Sequence, residues 1–226
     1  MKTKSAWSSC LLAFAVCAAA LPATAQAPGQ GSLYTNIGSG SIVYNCCSGW
    51  TVSGTGILGT SFTAANEFAP GISGNVTDIF LAVGYVSGVN SFYVAIDADN
   101  SGQPGAQLAY FGNLSSNQDF GGCCGLVDNK GVSGLHLTAG TDYWMVVGPM
   151  DTASTTWEAW NFSNNAMGYD AYSTDGGDTW ISNGIQAQGA IDILGSYDGT
   201  TPEPSSIVLF GSGMLGLAGV LRRRLL

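Results

Sequence analysis

The sequence predicts an all-β fold, a single β-sandwich of jelly-roll type, over residues 26–198. Three observations predict it. Short runs of β-forming residues recur between Gly, Asp and Asn clusters. Lys, Arg and Glu, which favour helices, are scarce in this stretch, and none of it holds an apolar period of 3.6 residues. No segment recurs at a fixed spacing, which argues against a propeller or solenoid.

The runs, in order, are ILGTSFTA (57–64), VTDIFLAVGYV (76–86), SFYVAIDA (91–98), AQLAYFG (106–112) and GLHLTA (134–139). DYWMVVG (142–148), TTWEAWNF (155–162), YDAYS (169–173), TWIS (179–182) and AIDIL (190–194) follow. Between them lie SGVN, DNSGQPG, TAGT and STDGGD, whose Gly, Asn and Asp residues suit tight turns. Several runs alternate. In SFYVAID, Phe92, Val94 and Ile96 fall on one face and Tyr93, Ala95 and Asp97 on the other, which predicts one buried and one solvated face.

The ends are of a different kind. Lys2 and Lys4 precede a short apolar run, and Ala23-Thr24-Ala25 offers a small-residue cleavage site, so residues 1–25 read as a secretory signal peptide. At the other end, residues 207–221 carry no charge and are followed by Arg222, Arg223 and Arg224. As a helix this stretch spans roughly 22 Å of a hydrocarbon core about 30 Å thick. The arginines would keep its end in the cytoplasm by the positive-inside bias. Residues 207–226 are therefore expected to be a transmembrane helix with a basic tail, joined to the domain by a linker over 199–206.

Pro202-Glu203-Pro204, the apolar segment and the arginine cluster together resemble a PEP-CTERM sorting signal. The resemblance implies export in a Gram-negative bacterium that makes extracellular polysaccharide. Signal peptidase would act first, and an exosortase would then cut near Pro202, Glu203 and Pro204. The precursor would sit in the inner membrane, and the product at the cell surface or outside the cell. A second resemblance covers most of the core. SFTA (61–64), VTDIFLAV (76–83), DNSGQPG (99–105) and LTAGTDYWMVV (137–147) are similar to exported β-sandwich domains called choice-of-anchor domains. It supports the fold and implies no catalytic residues.

Trimming both ends changes the charge. The whole chain carries −9, but Lys130 is the only Lys or Arg left in the domain, against 14 acids, a net charge of −13. Such a surface repels phosphate backbones, and nucleic acid is excluded as a partner.

Four cysteines remain in two doublets, Cys46-Cys47 and Cys123-Cys124. An even count in an exported chain predicts disulfides. Bonding between doublets is preferred to bonding within them, and would close a loop of about 77 residues worth ~4 kcal/mol. A four-cysteine metal site would need spacers that adjacent residues lack. In DADNSG (97–102), Asp97 and Asp99 begin a calcium-loop pattern, but Leu108 stands where a bidentate Glu belongs. A polar hairpin is the simpler reading, with Ca²⁺ at Asp97 and Asp99 as the alternative. STDGGDTW (173–180) matches an Asp-box at Ser173, Asp175, Gly177, Thr179 and Trp180, a hairpin in which Asp and Ser satisfy the turn and Trp packs beneath.

Catalysis has thin support. His136, the sole histidine, has no G-x-S-x-G partner and suits a solvated strand face. Glu158 lies between Trp157 and Trp160, an arrangement that suits sugar stacking or a sheet edge. On a strand these two indoles face opposite sides, one toward the core and one able to meet a ligand. The sequence thus predicts a non-enzymatic structural or adhesive surface protein with no resident cofactor. The alternatives are a carbohydrate-binding module using Trp157 and Trp160, assisted by Ca²⁺ and with extracellular polysaccharide as partner, and a glycoside hydrolase or lyase.

Overall fold

A computed structural model describes residues 29–39 and 43–197. The signal peptide, the Pro-Glu-Pro linker and the apolar tail with Arg222, Arg223 and Arg224 lie outside the described residues. Among the described residues, no helix is long and apolar enough to cross a membrane.

The chain is all-β and forms two antiparallel sheets. Its elements run β1 (Gly29–Thr35), β2 (Gly49–Ser53), the single turn α1 (Thr55–Leu58), β3 (Thr63–Phe68), β4 (Gly74–Leu81) and β5 (Val83–Ser87). After them come β6 (Phe92–Asp99), β7 (Pro104–Leu114), β8 (Val127–Lys130), β9 (His136–Leu137) and β10 (Tyr143–Pro149). The last three are β11 (Trp157–Ser173), β12 (Ile181–Gly189) and β13 (Ile191–Tyr197). One sheet has the order β1-β13-β4-β8 with β9 on β4, and the other the order β12-β11-β3-β10-β6-β7 with β2 and β5 on β11.

The sheets share one apolar core. Leu33, Ile79, Leu81, Ile191 and Ile193 of the smaller sheet meet Phe68, Val94, Ile96, Met145, Val147 and Trp160 of the larger. Phe92, Val94 and Ile96 all point into it, as the alternation of β6 predicts. The opposite face is less solvated than expected. Ala95 and Asp97 are buried, because Trp144, Ala65, Ala171 and Val146 form a second cluster there, against which Trp180 of the 173–180 hairpin packs.

Chain exchange between the sheets is built on small residues. The apolar run 76–86 is broken at Ala82, where β4 leaves the smaller sheet and β5 enters the larger. There the Ala82 N–H donates to the Ala190 carbonyl (3.1 Å), Ala190 N–H to Asn161 (2.8 Å) and Asn161 N–H to Ala82 (2.8 Å). This closed triangle satisfies all three backbones where neither sheet's ladder continues. Ala82 and Ala190 are fully buried beneath Tyr44. Two other expectations change. Residues 57 and 58 end a helical turn that Gly59 stops at φ +76°, so the strand begins only at Thr63. The runs 155–162 and 169–173 merge, from Trp157 on, into one long β11, which is irregular between Phe162 and Met167.

Candidate functional site

Trp157 and Trp160 separate as the spacing predicts. Trp160 is fully buried in the main core and its Nε1 donates to the Ala190 carbonyl at 3.3 Å, while Trp157 is half-buried. Glu158, also fully buried, lies across from Val52 on β2 and Tyr85 on β5. The Ser116 hydroxyl donates to its Oε2 at 2.6 Å, and its Oε1 has no hydrogen-bond partner. Burial pushes the Glu158 carboxyl up to about 7, against the smaller opposite pull of Ser116. Glu158 therefore faces the core and not a groove. His136 is exposed opposite Asn75, on a solvated strand face.

Asp97 and Asp99 share a face of β6 but do different work. Asp99 Oδ1 accepts from the Trp144 indole (2.9 Å) and from Gly102 N–H (3.0 Å), closing the turn in which Ser101 and Gly102 take φ +58° and +84°. Asp97 is buried, its Oδ1 has no hydrogen-bond partner, and burial pushes its carboxyl up to about 6. Among the described residues, no three His, Cys, Asp or Glu side chains are grouped to hold a metal ion.

The cysteine doublets are brought together, since Gly121 N–H donates to the Cys46 carbonyl at 2.9 Å. Cys46 and Cys124 pack against the same Tyr44, Ala82 and Ala190 cluster. The sulfurs lie against their own doublet partners, whereas the sequence reading preferred pairing between doublets. Cys123 is bonded to Cys124, while Cys46 and Cys47 remain thiols with sulfurs 3.3 Å apart. Each sulfur is engaged by its own doublet.

The Asp-box hairpin takes the form its residues predict. The Ser173 hydroxyl donates to Asp175 Oδ1 (2.6 Å) and accepts from Gly177 N–H (2.8 Å). Thr179 donates to Asp175 through both its N–H (2.9 Å) and its hydroxyl (2.6 Å). Those hydrogen bonds, from Ser173 foremost and then Thr179, hold Asp175 down to about 2.

One concave feature with ligand-like chemistry was not visible in the sequence. A cleft of about 410 Å³ is lined by Trp50 and Thr51 of β2, Leu58 of α1, Phe62, Tyr172 of β11 and Asn183 of β12. Such a volume and an aromatic wall with few polar groups are usual for small-ligand sites. Each wall is anchored. Trp50 donates its Nε1 to the Ala187 carbonyl (3.0 Å) and meets Phe162 edge-on at 5.2 Å. Gly49 lets β2 approach β11, since a Cβ there would lie 2.5 Å from the Trp160 carbonyl oxygen. Phe62 and Tyr172 are tilted neighbours with ring centroids 6.4 Å apart.

Asn183 is the residue skipped in the β11–β12 register, where Asp170 pairs with Gly184 and Ala171 with Ser182. The bulge aims its amide at Asp170, and Nδ2 donates to Asp170 Oδ1 at 2.5 Å. Behind it, Asn66 Nδ2 donates to Asp170 Oδ2 (2.8 Å), and Gly189 N–H donates to Asn66 Oδ1 (2.6 Å). Burial pushes the Asp170 carboxyl up to about 7, against the pull of both amides. A buried polar chain thus fixes the one amide in the cleft wall.

Comparison with known families finds a PEP-CTERM protein-sorting motif at residues 200–224. It covers Pro202, Glu203, Pro204 and all three tail arginines. No curated protein matches the chain.

Proposed function

We propose that this chain, an exported protein that carries a PEP-CTERM sorting signal for exosortase processing, serves as a non-enzymatic adhesive protein of the cell surface or extracellular matrix. The sorting motif at residues 200–224 carries the reading, because it assigns the chain to export and to transient anchoring in the membrane. Fold alone carries no function, so the adhesive role rests on the surface. The cleft bordered by Trp50, Phe62 and Tyr172 favours adhesion over a purely structural part. Core-facing Glu158 supports a non-enzymatic role, since its carboxyl is committed inside the fold. The core shared by the two sheets supports a sandwich of jelly-roll type.

The test is co-sedimentation of the processed protein with extracellular matrix stripped from the producing cells. Saturable retention that survives 0.5 M salt, about the level at which exposed charge contacts are screened within a few Å, is expected. Recovery of all the protein in the supernatant would refute adhesion.

A further inference from the structure

The cleft's walls specify what an occupant must be. Trp50, Phe62 and Tyr172 are all half-buried, so each leaves ring surface accessible, and Leu58 at the rim is 40% exposed. The wall holds no Asp, Glu, Lys, Arg or His, and the carboxyl of Asp170 is buried behind Asn183. The polar offering is the Asn183 amide together with the Thr51 and Tyr172 hydroxyls. With one amide hydrogen given to Asp170, Asn183 keeps its carbonyl oxygen and a second hydrogen for an occupant.

An anionic occupant is disfavoured. Lys130 is the only cation among the described Lys and Arg positions, it sits on β8 of the other sheet, and it is paired with Asp128 at 2.9 Å. A domain at −13 would repel an acidic polymer without a local counter-charge. A purely apolar occupant would leave the amide and hydroxyls desolvated and unpaired, which is costly. A neutral pyranose meets both demands, with a C–H face for the rings and hydroxyls for the amide.

We propose that the cleft between β2, β3, β11 and β12 binds a neutral sugar unit of a polysaccharide, stacked on Tyr172 and Trp50 and oriented by Asn183. This rests on the adhesive reading and names its ligand class. Asp170 and Asn66 act here as positioning residues: Asp170 holds Asn183, Asn66 holds Asp170, and neither lines the cleft.

The test is affinity electrophoresis of the processed protein in gels containing a β-glucan, an α-glucan, a mannan, a galactan or an acidic polyuronate. Retardation by at least one neutral polymer is expected, with a loss of at least tenfold in affinity for both Tyr172→Ala and Asn183→Ala. Leu58→Asp at the exposed rim should weaken binding without disturbing the fold, checked by unchanged thermal melting. Retardation by the polyuronate alone overturns the neutral assignment. Neutral-polymer retardation unchanged in all three variants overturns the cleft but leaves adhesion standing. No retardation by any polymer, with matrix co-sedimentation intact, overturns the sugar and again spares adhesion. Loss of both overturns adhesion itself.

Discussion

Glu158→Gln isolates what a buried carboxyl costs this domain. In the folded chain Glu158 is fully buried, has one hydrogen bond from Ser116, and holds its proton up to about 7 instead of the ordinary 4.5. The unfolded chain releases that proton near 4.5. Between these values the folded state therefore binds more protons, and stability must fall as pH rises through that window. A rise of about 2.5, at about 1.4 kcal/mol for each tenfold change, amounts to about 3–4 kcal/mol over the whole window. Asp170, raised to about 7, and Asp97, raised to about 6, act in the same direction. Gln keeps the shape and an oxygen for Ser116, but cannot ionise. Urea unfolding at pH 5 and at pH 8 should show the natural protein losing stability, and the variant losing about 3 kcal/mol less. At pH 8 the variant should be the more stable of the two. Parallel losses in both proteins would show that Glu158 does not carry this burial.

Gly189→Ala should destabilise by about 1–3 kcal/mol through overpacking, because a Cβ there would lie 2.1 Å from the Trp160 ring; chemical denaturation reads this. Asp175→Ala should loosen the 173–180 hairpin and change Trp180 fluorescence. In the natural protein, the contribution of Asp175 is present above the ordinary 3.8 and lost as pH falls through about 2, so a pH titration of that fluorescence should move only in acid. EDTA should leave the melting temperature unchanged, since Asp99 is already bound by Trp144 and Gly102; a fall restored by Ca²⁺ would place a cation at Asp97 and Asp99.

What was legible in the sequence was contiguous. The alternation of Phe92, Val94 and Ile96 marks β6 because a strand's period is local, and the Asp-box is readable because Ser173, Asp175 and Thr179 satisfy each other within one turn. The sorting signal is legible for the same reason. The apolar run 76–86 hides its break because Ala82 is as apolar as its neighbours and differs only in which sheet it leaves. Gly29–Thr35 is not among the β-type runs the sequence marks, and becomes a strand only by pairing with β13 at the far end of the domain. The cleft could not be read, since Trp50, Phe62, Tyr172 and Asn183 come from separate segments joined only by sheet pairing. Spacing alone separates Trp157 from Trp160 but cannot say that the second faces the core.

The central claim, that this domain is exported and released from its own tail, is tested most directly by intact-mass spectrometry of the cell-associated and secreted forms. Parallel cells should carry a deletion of Pro202, Glu203 and Pro204. A mature chain starting after Ala25 and ending near the Pro-Glu-Pro motif is predicted, with the tail retained only in the deletion. Arg222, Arg223 and Arg224 present in every form of the natural protein would contradict it.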